Sequence, residues 1–461
     1  MSRHDSAALK QSPLACPPKA SGVPLVGALP ALLLERFDFL EAAQRRLGDI
    51  FTLNLGFTDA IILCHPRHVQ HVLVDEAPRY CKGGPVWESI RTFLGNGLPV
   101  SEGEFWKRQR RMIQPAFHQQ RLAALTVKMG EVIDESLAGW EQAARTGAPF
   151  DMAEGLMRMT MNVMVRAMFG SGLDAADEER VGHELAYVID YMLWGMMGQG
   201  LPGWVPVPGR ARYREAIRFI DAVVSRIIER GRRSAGDESL LSLLLHAVDA
   251  ESGEQMTAAQ LRDEVVSLFA AGYDTTSVGL AWALQLLTRH PEAFQRVRTE
   301  VDEVLGAQVP GFAELRRLPY TRRVLQESLR LYSPAYWVPR ASAEEDELDG
   351  YRIPAGRMVL LFVHLIHHHP AIWEEPRRFD PDRFTPERSE GRHKHAWTPF
   401  GAGQRLCIGR EFSLMEGQLI LARLAQRYEV SAVPGREAQV HIGTSLQVKG
   451  GVWVHLRHRR S

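Results

Sequence analysis

The stretch Phe400-Gly401-Ala402-Gly403-Gln404-Arg405-Leu406-Cys407-Ile408-Gly409 decides how this chain is read. It sets one cysteine in a glycine-rich loop at the mouth of an apolar, helix-like run from Phe412 to Leu424. Closely spaced glycines let backbone bend and approach a flat object where a Cβ would clash. A thiolate beside a helix N-terminus is stabilised by amide N–H groups and by the dipole, which predicts a lowered pKa for Cys407. Arg405, two residues earlier, is placed to hold an anionic group beside the sulfur. A soft, anionic ligand with no second cysteine or histidine at metal-cage spacing suits a haem iron with one axial thiolate. Taken alone, Cys407 reads equally as a buried cysteine packed like a small hydrophobe.

Phe400, Gly403, Arg405, Cys407 and Gly409 together spell F-x-x-G-x-R-x-C-x-G. This pattern resembles the haem-binding signature of the cytochrome P-450 superfamily. The resemblance extends from about residue 17 to residue 455, with the family's main motifs in order. It implies a mainly α fold with a small β region. Haem b (iron protoporphyrin IX) would lie between a long central helix and the Cys407 loop, with Cys407 as the axial ligand of the iron.

Composition sets the outer limits. Lys+Arg and Asp+Glu both total 55, so no global charge argues for nucleic acid or an anionic membrane. Apolar residues make up 45% of the 461, enough for a substantial core. Cys16, Cys64, Cys81 and Cys407 form no C-x-x-C pair and are too sparse for a disulfide framework, which favours a reducing compartment. No apolar run reaches the roughly 18 residues of a membrane span, and the N-terminus lacks a signal-peptide layout. The expectation is a soluble, cytoplasmic, monomeric protein of bacterial type. Residues 1–20 are expected to be mobile and 21–461 to form a single domain.

Along the chain, Phe51 to Leu55 and Ala60 to Cys64 flank a turn and read as a hairpin. Gly83 to Gly97, with four glycines and Pro85, reads as a loop with little regular structure. Glu104 to Phe117 reads as a helix on which Trp106 and Arg110 share a face. The W-x-x-x-R pair resembles the one that holds a haem propionate in the family; the alternative is a plain amphipathic helix. Lys107 and Arg111 form a neighbouring stripe and Arg108 points away, a candidate docking face for an acidic electron carrier or simply a solvated one. Tyr191 to Pro208 is rich in Met, Trp, Gly and Pro, which suits a deformable lid over an apolar pocket or irregular core packing.

Thr257 to Gln260 is a capping box, and apolar residues then recur at helical spacing to about Thr288. In the middle lies Ala270-Ala271-Gly272-Tyr273-Asp274-Thr275-Thr276. Small residues admit a close neighbour, and Thr275 can bond back to the Ala271 carbonyl. The A-G-x-D-T-T run resembles the family's oxygen-activation motif, which implies that Asp274 and Thr275 deliver protons to bound dioxygen. By itself the run reads more readily as a packing spot with a surface aspartate.

A second helix, Leu318 to Tyr332, carries Glu327 and Arg330 on one face. Phe379 to Phe384 resembles the family's meander, so Arg383 is expected to complete a structural ion-pair network with them. By resemblance Arg340 meets the second propionate. Ala271, Ala335, Tyr336, Trp337, Val338 and Leu446 are expected to line the substrate pocket, although Tyr336 and Trp337 are open to a core role. His364, His367, His368 and His369 resemble the family's variable H-x-x-H-x-x-P segment rather than a metal site.

The implied function is monooxygenation of a lipophilic molecule, a fatty acid, terpenoid, steroid or macrolide, with fatty acid the first guess. The chain ends about fifty residues after Cys407, so electrons are expected from a separate ferredoxin or flavodoxin and its NAD(P)H-dependent reductase. A peroxide-driven peroxygenase and a haem-thiolate sensor are the rival readings. The retained acid–threonine pair counts against the first, and the lack of any signalling or DNA-binding module against the second.

Overall fold

The computed structural model describes residues 14–23, 27–34, 37–56, 58–170, 175–197, 207–233 and 239–459. Helices dominate, and the described β-structure is one five-stranded sheet with three smaller ones. The large sheet runs Ile50–Asn54, Asp59–Leu63, Met358–Leu361, Val338–Ser342, Tyr80–Cys81. Asp59–Leu63 and Met358–Leu361 are parallel, and every other neighbour is antiparallel. Ile61 and Leu63 pack with Val359 and Leu361 on one face, while Ala60 and Ile62 pack with Met358 and Leu360 on the other. A sheet covered on both faces reads as continuous apolar runs, which is why alternation is weak in the expected hairpin.

The sheet also captures chain expected to be mobile. Lys19 pairs with Thr52 in this sheet, Ala15 pairs with Tyr351 in the separate two-stranded sheet of Asp346–Leu348 and Tyr351–Ile353, and the Thr52 N–H donates to the Pro18 carbonyl at 2.8 Å. The hydrogen-bonded chain therefore starts earlier than residue 21. Prolines 17 and 18 suit this place because an edge segment does not need every N–H.

The central helix, Ala258–Arg289, starts at the expected capping box: Thr257 Oγ1 accepts from the Gln260 N–H, and Gln260 Oε1 accepts from the Thr257 N–H. Its flanks are buried nearly all round, with Val265, Phe269, Leu284 and Leu287 at or below 1% exposure. A helix apolar on every side belongs in the middle of a molecule.

The expected loop from Gly83 to Gly97 is instead a helix, Pro85–Leu94, with Trp87 and Phe93 buried. Its breakers are its boundaries. Gly84, at φ +80°, precedes Pro85 in the first turn, and Gly95, at φ +59°, ends the last. Proline at the start and glycine at the end are the normal punctuation of a helix. Of the proposed lid, Tyr191 and Met192 are buried on the helix Ala175–Met197; residues 198–206 lie outside the described residues.

Glu264, fully buried on the central helix, ties the segment after Pro85–Leu94 to the next helix, Gly103–Ile113. Its carboxyl accepts from the Leu98 N–H at 3.0 Å and from Gln109 Nε2 at 2.9 Å. Burial, only partly offset by the Leu98 N–H, pushes its pKa up to about 8. A carboxyl raised in the fold disfavours its charged form. Stability is therefore full below the ordinary value of 4.5 and falls as pH rises toward 8. We expect Glu264→Gln to flatten urea-unfolding stability across that window; an equally steep fall in the variant would refute this assignment.

Candidate functional site

The Cys407 loop is shaped by two left-handed glycines, Gly401 at φ +72° and Gly403 at φ +65°. A Cβ on Gly403 would stand 1.9 Å from the Leu73 carbonyl oxygen, so only glycine fits where the loop crosses the 71–75 turn. The Cys407 N–H donates to the Phe400 carbonyl at 3.0 Å, closing the loop. The helix Arg410–Arg427 follows, and the backbone N–H groups of Gly409 and Arg410 lie near enough to the sulfur to favour its charged form.

Cys407 has solvent-accessible surface, yet it lies deep enough for desolvation to dominate its chemistry. Those two properties coexist on the wall of an interior cavity. Burial raises the thiol pKa by more than the Gly409 and Arg410 N–H groups and the Arg110 charge lower it. The expected depression is thus overturned. The donors for a thiolate are present, but the protein alone does not hold the sulfur ionised; a bound metal cation would.

Around the loop stands a knot of positive charge. Arg110 Nη1 donates to the Leu406 carbonyl at 3.0 Å. Arg405 donates to the Ser101 carbonyl at 2.9 Å, pairs with Glu102 at 2.7 Å, and lays its guanidinium 3.8 Å from the centre of the buried Trp106 ring. Arg340 is buried on the sheet; desolvation, then Arg405, lowers its pKa to about 10. Lys82 was not anticipated from sequence. Its Nζ donates to the Pro99 carbonyl, and burial, then Arg340 and Arg405, drives its pKa well down. Among the described residues, Glu102 is the carboxylate whose charge bears on all three of Lys82, Arg340 and Arg405. Cations that repel one another in a buried place fit an anionic ligand, and the two propionates of a haem meet that need.

On the central helix, Ala271 and Thr275 are exposed within an otherwise buried run. The Thr275 hydroxyl donates to the Ala271 carbonyl at 2.7 Å, and Thr276 meets Ser413, on the helix after Cys407, at 3.1 Å. Gly272 packs elsewhere: a Cβ there would fall 1.6 Å from Met164 Cε. Desolvation, followed by the negative charge of Asp190, raises the pKa of Asp274 against the opposing pull of Ser445 and Gln447. The Ser445 hydroxyl polarises that carboxyl without a well-aligned hydrogen bond.

Arg330 is fully buried and spends every arm: two parallel bonds to Glu327 at 2.7 and 2.8 Å, and others to the carbonyls of His367, Pro376 and Arg378. Arg383 stands 3.3 Å from Glu327 Oε1. His367 accepts from the Thr398 N–H through Nε2, so its Nδ1 carries the proton and donates to the Arg330 carbonyl. Burial lowers its pKa to about 3, which keeps it neutral. The frame thus reaches Thr398, two residues before the loop.

Other expected residues separate from the site. The Tyr336 ring packs among Phe37, Trp337 and Phe362 and its hydroxyl donates to the Gly443 carbonyl at 2.8 Å. Leu446 is 1% exposed in the same cluster, and Trp282 Nε1 donates to its carbonyl. Both serve the core rather than a pocket wall. Trp337 and Val338 are half-buried against the sheet clusters, whereas Ala335 is exposed. Phe400 meets Trp397 edge-on at 5.9 Å. The basic stripe is largely neutralised within the chain: Lys107 by Glu104, Arg108 by Glu254, Arg111 by Asp249 and Glu251. Among the described residues no group of three side chains is arranged to hold a bare metal ion, and no helix is long and apolar enough to cross a membrane.

A central helix with an accessible threonine turn, set against a glycine-shaped cysteine loop, defines a haem-thiolate protein class. Residues 17–449 match the family model described as Cytochrome P450, and the chain belongs to that family. It is 38% identical to the cyclooctat-9-en-7-ol 5-monooxygenase of Streptomyces melanosporofaciens, over 90% of this chain and 89% of that one. It is 30% identical to the pentalenene oxygenase of Streptomyces avermitilis, over 90% and 92%. The crystal structure of the cytochrome P450DA heme domain superposes with a TM-score of 0.85 at 27% identity, covering 97% of both chains.

The loop geometry sets a stability test. Gly435 shares a left-handed φ of +76° but has open space at its Cβ. Gly435→Ala should cost about 1 kcal/mol, whereas Gly403→Ala adds a backbone clash and should cost roughly 1–3 kcal/mol more. Thermal unfolding of the two variants side by side measures the difference; equal losses would mean that the Leu73 contact does not constrain the loop.

Proposed function

We propose that this protein is a haem-thiolate monooxygenase that oxidises a ring hydrocarbon of the terpenoid kind, fed with electrons from NAD(P)H by a separate ferredoxin or flavodoxin system. The observation that carries this reading is the accessible Cys407 sulfur at the start of the helix Arg410–Arg427, poorly solvated and beside buried, under-neutralised cations. Cys407 would ligate the haem iron. Arg110, Arg340, Lys82 and Arg405, the last braced on Trp106, would hold the propionates. Haem b, when bound, supplies the redox iron at which dioxygen is activated.

The chain's own residues supply the rest. The Gly409 and Arg410 N–H groups orient the sulfur and moderate its charge. The small, exposed side chain of Ala271 would leave room beside the helix for bound substrate. Thr275 holds its hydroxyl against the Ala271 carbonyl and can turn that donor inward by rotation about χ1. Asp274, its pKa raised by burial, retains a proton at higher pH than an ordinary aspartate and is suited to pass it toward Thr275. Glu327, Arg330 and Arg383 keep the loop in register and take no part in the chemistry.

The substrate class moves from the first guess of a fatty acid. The two relatives' names denote an alkenol and an alkene, without an acid group. The likeness favours an unsaturated cyclic hydrocarbon skeleton over a carboxylate-bearing chain.

A visible-absorption titration of the purified ferric protein tests all of this. Haem uptake, a thiolate-type spectrum lost in Cys407→Ser, and a low-to-high-spin shift with cyclic terpenoid hydrocarbons are expected. Thr275→Ala should lower product formed per NAD(P)H by about ten-fold or more. No haem uptake, or an unchanged spectrum in Cys407→Ser, would overturn the reading. A spin shift with fatty acids alone would restore the first guess.

A further inference from the structure

Asp190 lies on the helix Ala175–Met197, where that helix crosses the tip of the hairpin formed by Gln439–Ile442 and Leu446–Lys449. The crossing is fixed one residue away, where the Thr444 hydroxyl donates to the Ile189 carbonyl at 3.0 Å. Asp190 Oδ1 comes within 3.3 Å of the point where a Cβ on Gly443 would stand. That same point is 3.5 Å from the Ser445 carbonyl oxygen and 3.7 Å from Gln447 Oε1. Glycine at the tip therefore leaves the space in which this carboxyl sits.

The carboxyl oxygen Oδ1 is removed from solvent and has no hydrogen-bond partner among the described residues. An unpartnered buried carboxylate oxygen is costly, and a proton relieves it. Burial raises the pKa of Asp190, with His441 pulling the other way. Inward lies Asp274, whose carboxyl feels Asp190, Ser445 and Gln447. Outward lies His441, exposed and directly opposite Gln447 in the strand register, so the two side chains share one face of the hairpin. The titratable groups that meet the pair are His441 from the hairpin and Tyr273 from the central helix. An exposed imidazole and two half-buried carboxyls are thus linked, His441 to Asp190 and Asp190 to Asp274, and Thr275 is the next residue of the central helix.

We propose that Asp190 is the outer member of a two-carboxyl relay, taking protons from solvent beside His441 and passing them to Asp274. The step moves one proton and no electrons. Asp274 gives its proton inward and becomes a carboxylate, Asp190 reprotonates it, and solvent at His441 restores Asp190. Two interacting, poorly solvated carboxyls disfavour double ionisation, so the pair retains a shared proton at a pH where an isolated aspartate has lost it. Asp190 acts through Asp274 and is a positioning residue for its proton. This inference rests on the monooxygenase reading given above.

The test compares the haem-loaded protein with Asp190→Asn and Asp190→Glu. Product per NAD(P)H should fall roughly ten-fold in Asp190→Asn, with a larger solvent isotope effect on turnover, and both should recover in Asp190→Glu. Independently of turnover, infrared titration of protein carrying isotope-labelled aspartate should show a carboxyl proton retained above the ordinary range in the parent. In Asp190→Asn the remaining carboxyl should lose its proton at lower pH. Unchanged coupling and isotope effect in Asp190→Asn would overturn the relay. If that variant does not fold, the parent titration decides alone, and two independent carboxyls in the ordinary range would overturn it. Failure of the parent to bind haem would instead sink the monooxygenase reading, while the infrared titration still judges the carboxyl pair.

Discussion

Desolvation of charge around one interior slot is the constraint on which the site depends. A thiol, two arginines and a lysine are carried away from water there, and burial heads the list of influences on each of them. Burying an ion costs several kcal/mol unless a partner of opposite sign repays it. Among the described residues, Glu102 is the carboxylate whose charge bears on all three of Lys82, Arg340 and Arg405. The slot is therefore destabilised by its own groups in the way a site for a cationic metal and an anionic rim should be. A haem brings both: iron for the sulfur, carboxylates for the cations. Stability of the loaded protein and occupancy of the slot become one quantity, by the linkage that holds for any ligand bound only to the folded state.

The frame answers that cost with rigidity. Arg330 has no exposed surface and no unused arm, and its hydrogen bonds reach three carbonyls from the segment between His367 and Arg378. His367, held neutral by burial, joins the Arg330 carbonyl to the Thr398 N–H. The ion pair consequently fixes chain that leads into the Cys407 loop without touching the loop itself. A buried pair of this kind is weak as a source of net stability but strongly penalises any partner's removal, which suits a part whose work is registration.

Legibility in the sequence followed the kind of signal. The central helix and its cap could be read because period and punctuation agree from Thr257 to Arg289. The helix Pro85–Leu94 was hidden because Gly84, Pro85 and Gly95 were counted as breakers when they are its ends. Tyr336 and Leu446 carry apolar bulk that suits a pocket or a core equally, and only their burial in one apolar cluster and the Tyr336–Gly443 bond distinguish the two. The thiol pKa came out with the wrong sign because a helix N-terminus is visible in sequence and depth of burial is not. Lys82 carried no motif; its role appears only when Arg340, Arg405 and Glu102, distant in sequence, gather around it.

The hairpin tip joins these parts. Gly443 accepts from the Tyr336 hydroxyl, Thr444 donates to the helix Ala175–Met197, and the Leu446 N–H donates to the Pro334 carbonyl. The Leu446 carbonyl in turn accepts from Trp282 on the central helix. Three separate segments are thus pinned to four consecutive residues. The helix that carries Asp190 cannot shift relative to the central helix without straining bonds at this joint. Since the charge of Asp190 reaches Asp274 across it, the position of that helix and the proton affinity of Asp274 are physically coupled. Any ligand that moved the helix by even an ångström would change the charge felt by Asp274, because Coulomb energy between close groups in a poorly solvated place varies steeply with distance.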